Sequence, residues 1–316
     1  MIPAGTTRIP AILLRARMAG HGSSMACSPG RPSVRRLVAA LAVLAGAACG
    51  GRVLATPPSP APRAQAPSER ARHALAERDV PFEPHAFFAA AAEGDLALVD
   101  LFLGAGMPAP TRDQWGNSAL LEASRNDRSE VVARLLARGA KPGDAPGGEP
   151  PLTVAAESGS LGALTALLAA GADPDQAADP AKGPGGTPLQ RACAAEAWEA
   201  ARLLLEGGAR PGLAAPPLAP PLFLAAESGH APTVALLLDK GADPNARGTG
   251  GAAPIWLPVW NGHVEVVRLL LLAGADVRAD RTTLLKGRPG QPVKPEIRKL
   301  LKNPPKPVAP AKRPSR

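Results

Sequence analysis

The sequence predicts an all-α solenoid of about six helix–turn–helix units joined by short hairpin loops, and three observations predict it. Gly106, Gly139, Gly171, Gly208, Gly241 and Gly274 recur at steps of 33, 32, 37, 33 and 33 residues, and self-similarity at a fixed period of this size marks a repeat array. Most of these glycines close an apolar run of helical character: LFLGAG, ARLLARGA, TALLAAGA, ARLLLEGGA, VALLLDKGA and VRLLLLAGA. Twenty-one residues before the last five glycines stand Ser118, Pro150, Thr187, Pro220 and Ala253, each placed to start a helix.

Each unit then reads in order. Pro151, Pro188, Pro221 and Pro254 follow four of the start positions, where a first helical residue needs no N–H and has its φ already set. Ser118 and Thr187 can cap the free amides. A first helix, a short turn and a second helix follow, and the periodic glycine takes the left-handed conformation that ends the second helix. Leu204, Leu237 and Leu270 repeat on the buried side of the second helices, while Ala192, Ala225 and Ala226 let neighbouring helices approach to ~8–10 Å. Cys193 shares that small-residue position and reads as a buried, inert thiol.

The fourth unit, GGTPLQRACAAEAWEAARLLLEGGARP, resembles an ankyrin repeat in its TPL start and LLLxxGA end, and the fifth, PPLFLAAESGHAPTVALLLDKGADPN, in its GH turn and GAD ending. The sixth, APIWLPVWNGHVEVVRLLLLAGADV, keeps the GH turn and the GAD ending. Six units run from about His85 to about Ala279. Three departures carry expectations. Asp127 and Glu196 replace the glycine between the helices, Pro258 falls inside a first helix that it should kink or shorten, and the stretches QAADPAKGPG and RPGLAAPPLAP exceed an ordinary hairpin.

Composition agrees with helix: apolar residues make up 45% but aromatics only 3%, with no tyrosine, which argues against an aromatic β-sandwich or a base-stacking platform. Three scattered cysteines exclude a disulfide scaffold and a structural zinc site. The net charge of +9 divides unevenly: residues 1–83 carry 11 basic and 4 acidic residues (+7), residues 281–316 carry 11 and 1 (+10), and the remaining 84–280 must be −8. The folded part is therefore mildly acidic, and nucleic acid is not expected as its partner.

The ends read as address and spacer. Arg31, Arg35 and Arg36 precede twelve small or apolar residues, Leu37 to Ala48, which end at Cys49; this is the pattern of a secretory signal and too short for the ~20 residues of a spanning helix. The true start is expected at Met18 or Met25. AACGG resembles a bacterial lipoprotein processing site, although Gly46 stands where leucine is usual, and lipid attachment at Cys49 competes with general cleavage after Ala47 or Ala55 and with a chance apolar run in a cytoplasmic protein. The expected divisions are a leader at 1–48, a Pro-rich tether at 49–83, the repeats at 84–280, and a degraded cap helix near Glu296–Lys302 with a basic Pro-rich tail at 281–316.

Chemistry is sparse. No P-loop, GxSxG, HExxH or CxxC occurs. His230 and His263 hold the same position in adjacent units, so they lie ~10 Å apart and stabilise their turns rather than share a metal. Glu157 and Glu227 sit two units apart, ~20 Å, beyond the ~5–9.5 Å separation of an acid–base pair. No enzyme activity, small-molecule substrate, cofactor or metal is expected. The resemblance instead implies a monomeric interaction module that holds an unidentified protein through its concave groove and loop tips. Carried onto this chain, the groove positions are Glu122, Arg125, Glu157, Arg191, Glu227 and Trp260, with Trp115, Asp144, Asp175 and Asn245 at the loop tips. Cell-envelope display follows from the leader; a cytoplasmic scaffold or effector, and an envelope or anionic-polymer binder acting through the basic tail, are the rival readings.

Overall fold

The computed structural model describes residues 67–307 except Pro146, Thr249, Ala279 and Pro289, all within one compact unit, Pro62–Arg316. The leader, Cys27, Cys49 and the end of the tail lie outside the described residues. Helix α1 is Pro67–Glu77. Six helix pairs follow: α2 (Pro84–Glu93) with α3 (Leu96–Gly104), α4 (Ala119–Arg125) with α5 (Ser129–Ala137), α6 (Pro151–Ser158) with α7 (Leu161–Ala169), α8 (Pro188–Ala194) with α9 (Trp198–Glu206), α10 (Pro221–Ser228) with α11 (Ala231–Asp239), and α12 (Trp256–Asn261) with α13 (Val264–Leu272). Helices α14 (Arg281–Lys286) and α15 (Pro295–Lys302) make a seventh, reduced pair. First helices pack on first helices and second on second, in two parallel rows. Among the described residues, strand pairing is confined to isolated bridges.

One core runs the length of the array. Phe102, Leu135, Leu167, Leu204, Leu237 and Leu270 each stand four residues before a periodic glycine, and all are fully buried; burying such a side chain stabilises by about 1.5–3 kcal/mol. Ala192, Ala225, Ala226 and Cys193 are buried beside them as expected. Thr187 and Gln190 form a complete capping box at the start of α8, and the Ser118 hydroxyl accepts from the Leu121 amide at 3.2 Å. Asp127 and Glu196 do take the left-handed conformation of the missing glycines, with φ of 55° and 58°. Pro258 shortens α12 to six residues: lacking an N–H, it cannot bond the Pro254 carbonyl, and the helix starts at Trp256 rather than at Pro254.

The flanks hold more structure than the proline content suggests. The stretch read as tether, 49–83, carries α1, which stacks on α3. Leu75 is buried there, Arg72 donates to the Ala105 carbonyl at 3.0 Å, and Phe82 stacks on Phe102 at 6.1 Å. An end helix of this kind shields the apolar flank that the first repeat would otherwise expose. At the other end Leu284, Ile297 and Leu301 are fully buried, so the closing unit is packed and not merely appended.

Neighbouring units are also tied by polar bonds. Side chains reach back about one period to backbone carbonyls: Arg128 to Ala92 at 2.9 Å, Ser160 to Arg125 at 3.0 Å, Gln176 to Gly143 at 2.7 Å, Asn261 to Glu227 at 3.2 Å and Lys294 to Gly262 at 2.9 Å. Such bonds contribute about 1 kcal/mol each.

Candidate functional site

The register of the first helices separates the expected groove residues into two rows. Glu122, Val154, Arg191, Leu224 and Leu257 share one helical position, and Arg125, Glu157, Ala194, Glu227 and Trp260 share the position three residues on. The second row faces solvent, apart from half-buried Trp260. The first row is half-buried or buried, because it lies closer to the neighbouring helix.

Arg191 is therefore not the exposed anchor that its residue type suggested. Its side chain is only 9% exposed, ion-paired with Glu157 and 3.9 Å from Glu149. The pair closes the middle of the first-helix surface and joins α6 to α8. Glu122 and Arg125 pair with each other at 3.3 Å, and Arg125 keeps 44% of its side chain exposed. Glu227 is exposed and has no ion pair among the described residues.

The loop tips divide in the same way. Asp144 pairs with Arg112 at 2.7 Å, Asp175 holds both the backbone amide and the guanidinium of Arg210, and Asn245 accepts from the Asp276 amide at 2.8 Å. Those three residues fasten one loop to the next. Trp115 differs: it is 71% exposed. Asp113 holds this tip, accepting from the amides of Trp115 at 2.9 Å and Asn117 at 2.8 Å and from the Asn117 side chain at 2.7 Å. Desolvation raises the Asp113 carboxyl, but together these hydrogen bonds outweigh it and hold the group below its ordinary value. Beside the indole lies a pocket of about 180 Å³, lined by Trp115, Asn117, Leu121, Glu149 and Lys182.

Trp260 packs edge-on against Trp256, centroids 5.2 Å apart, and Arg288 lies over its ring at 5.0 Å. Trp260 lines a second pocket, at the end of α12.

The histidines serve the turns. His230 caps α11, His263 precedes α13, and the ring of His263 sits so close to Gly229 that a Cβ there would come within 2.5 Å of it. Burial pushes the Cys193 thiol up to about 12, which removes it as a nucleophile at neutral pH. Among the described residues no cluster of His, Cys, Asp and Glu could hold a metal, and no helix is long and apolar enough to cross a membrane.

Sequence reasoning missed Gln190. Its buried amide donates to the carbonyls of Ala215 (3.2 Å), Leu218 (3.0 Å) and Ala219 (2.9 Å), and its oxygen accepts from the amides of Thr187 (3.0 Å) and Ala215 (2.8 Å). The proline-rich loop is thus held on one side chain.

Comparison with known proteins matches this architecture. The profile of the family described as ankyrin repeats (3 copies) matches residues 87–178 and 189–281. A curated ankyrin repeat-containing protein of Treponema pallidum (strain Nichols) is 36% identical over 147 residues, which is 45% of this chain and 47% of that protein. The chain thus aligns with about half the length of that relative. Among solved structures, the human ASB11 ankyrin repeat domain superposes with a TM-score of 0.60 at 24% identity, covering 69% of this chain and 98% of that one. An ankyrin repeat domain from Acinetobacter baumannii AYE gives 0.52 at 28% identity, covering 61% and 100%.

Proposed function

Since the chain belongs to the ankyrin-repeat family, whose domains are protein-interaction modules, we propose that it binds a partner protein through the exposed row of first helices and the loop tip at Trp115. The observation that carries this reading is Trp115 itself. A tryptophan 71% exposed beside a pocket gives up a large apolar surface to water, and tryptophan is among the residues most enriched at binding hot spots. Arg125, Glu157 and Glu227 lie along the same side and supply charge that can select a partner. Arg191 contributes by holding Glu157 in place.

In the same proposal the array is exported and tethered, with Cys49 as the lipid-bearing residue. Support comes from the sequence pattern alone: Arg31, Arg35 and Arg36 before a twelve-residue apolar run that ends in AACGG.

The test is a cross-linked pull-down from membrane and soluble fractions, scored by mass spectrometry. It compares the intact protein, a Trp115→Ala, Arg125→Ala variant, and an Arg202→Ala, Arg268→Ala variant altered on the second-helix side. One protein enriched by the first and third and lost by the second bears the reading out. The same species with all three, or none with any, overturns it.

A further inference from the structure

The connection between α14 and α15 departs from the repeat plan. Between the helices of the other units the turn is two or three residues; here residues 287–294 intervene, folding back through a bridge between Arg288 and Gln291. This loop lies beside the end of α12 and borders an open pocket of about 520 Å³, lined on one side by Trp260, Asn261 and Gly262 and on the other by Arg288, Gln291 and Lys294.

The pocket is rich in unused hydrogen-bond donors, and no carboxylate lines it. Arg288 has its guanidinium over the Trp260 ring, 5.0 Å from the centroid, and no ion pair among the described residues. A guanidinium resting over an indole face by cation–π attraction can still donate its N–H groups to an acceptor. Lys294 spends one proton on the Gly262 carbonyl at 2.9 Å and keeps two. The Gln291 side chain is exposed and makes no hydrogen bond among the described residues. The Nε1–H of Trp260 is buried without a hydrogen-bond partner among the described residues, whereas that of Trp256 donates to Asp280 at 3.1 Å.

We propose that this pocket binds a carboxylate on an acidic peptide segment of the partner protein. The inference rests on the reading of the array as a partner-binding surface and names the chemistry of one end of it. Two cations with planar, neutral donors beside them suit a carboxylate in a bidentate grip. The charge of the chain adds direction. Residues 84–280 carry −8, whereas the described residues 281–307 carry 8 basic and 1 acidic residue (+7), so an acidic segment is attracted at the α14–α15 end and repelled along the repeats before it. This fixes which way the partner lies.

The test uses the full-length protein and fluorescein-labelled tetraglutamate, with tetraglutamine and inorganic phosphate as competitors, read by fluorescence anisotropy. Tetraglutamate binds, tetraglutamine and phosphate at equal concentration do not displace it, and an Arg288→Ala, Gln291→Ala variant binds at least tenfold more weakly. A Lys299→Ala, Lys302→Ala variant, which removes two charges on α15 outside the pocket, stays within twofold of the intact protein. Thermal melts of both variants show that folding is kept. Equal weakening by both variants would reduce the effect to diffuse charge and overturn the proposal, as would displacement by phosphate or absence of binding by the intact protein. Loss of partner capture on changing Trp115 with tetraglutamate binding intact, or the reverse, tells the two readings apart.

Discussion

The imidazole of His230 lies flat on the indole of Trp198 in the preceding unit, with centroids 4.5 Å apart and planes 4° from parallel. Its Nδ1 accepts from the Thr233 amide at 3.4 Å and meets the Thr233 hydroxyl at 2.9 Å. Burial holds this histidine below its ordinary pKa, against the opposing charges of Glu199 and Glu196. The fold therefore prefers neutral His230, and below about 6.5 the unfolded chain binds the extra proton. Stability from this residue is full above about pH 6.5 and is lost as pH falls towards the lowered value. Melting curves from pH 7.5 to 5 should show the intact protein losing more stability than a His230→Gln variant. Parallel profiles would remove His230 as the cause.

Asp127 and Glu196 occupy the same left-handed site, but only Asp127 gains from its side chain, which accepts from the Ala163 amide at 2.9 Å. A residue with a Cβ loses about 1–2 kcal/mol in this conformation relative to glycine. Glu196→Gly is expected to stabilise by about 1 kcal/mol, whereas Asp127→Gly gives back a capping bond of about the same size and ends near zero. Urea midpoints measure the difference; equal gains would show that the Asp127 bond adds nothing.

Gln190→Ala should be among the most damaging single changes in the array. It strips donors from three loop carbonyls and the acceptor from two amides, and each buried group left unmet costs about 1–3 kcal/mol. We expect a loss of about 3 kcal/mol and faster hydrogen exchange at the Ala215 amide. A loss under about 1 kcal/mol, with exchange unchanged, would mean that the loop holds itself.

The repeats were legible because backbone geometry fixes residue type at set intervals. Gly171 and Gly241 turn with φ of 84° and 91°, where a side chain is strained, so glycine recurs and the period shows. Pro258 was legible for the same reason: its missing N–H acts locally. The ties between units were not, since a side chain reaching a carbonyl leaves no mark on the residue that supplies the carbonyl. A signal did exist for the ion pairs. Asp100 with Arg134, Glu157 with Arg191 and Asp175 with Arg210 lie 34, 34 and 35 residues apart, so opposite charges one period apart would have found them. Arg191 was misplaced because residue type was read without register; Val154, its equivalent one unit earlier, is buried too. Helix α1 escaped notice because its short sequence, PSERARHALAE, follows a proline-rich run and buries little beyond Leu75.

The closure of Arg191 between two carboxylates also sets a length. With Arg191 already drawn onto Glu157, Trp115 in the second unit and Arg288 in the seventh are left as the far-apart grips. Five inter-unit steps of ~8–10 Å separate them, or ~40–50 Å. A single extended strand at ~3.3–3.6 Å per residue needs roughly a dozen to fifteen residues to touch both, and a continuous helix at ~1.5 Å per residue needs about thirty. Short peptides can therefore occupy one grip at a time, and only a partner of that reach gains the avidity of holding both.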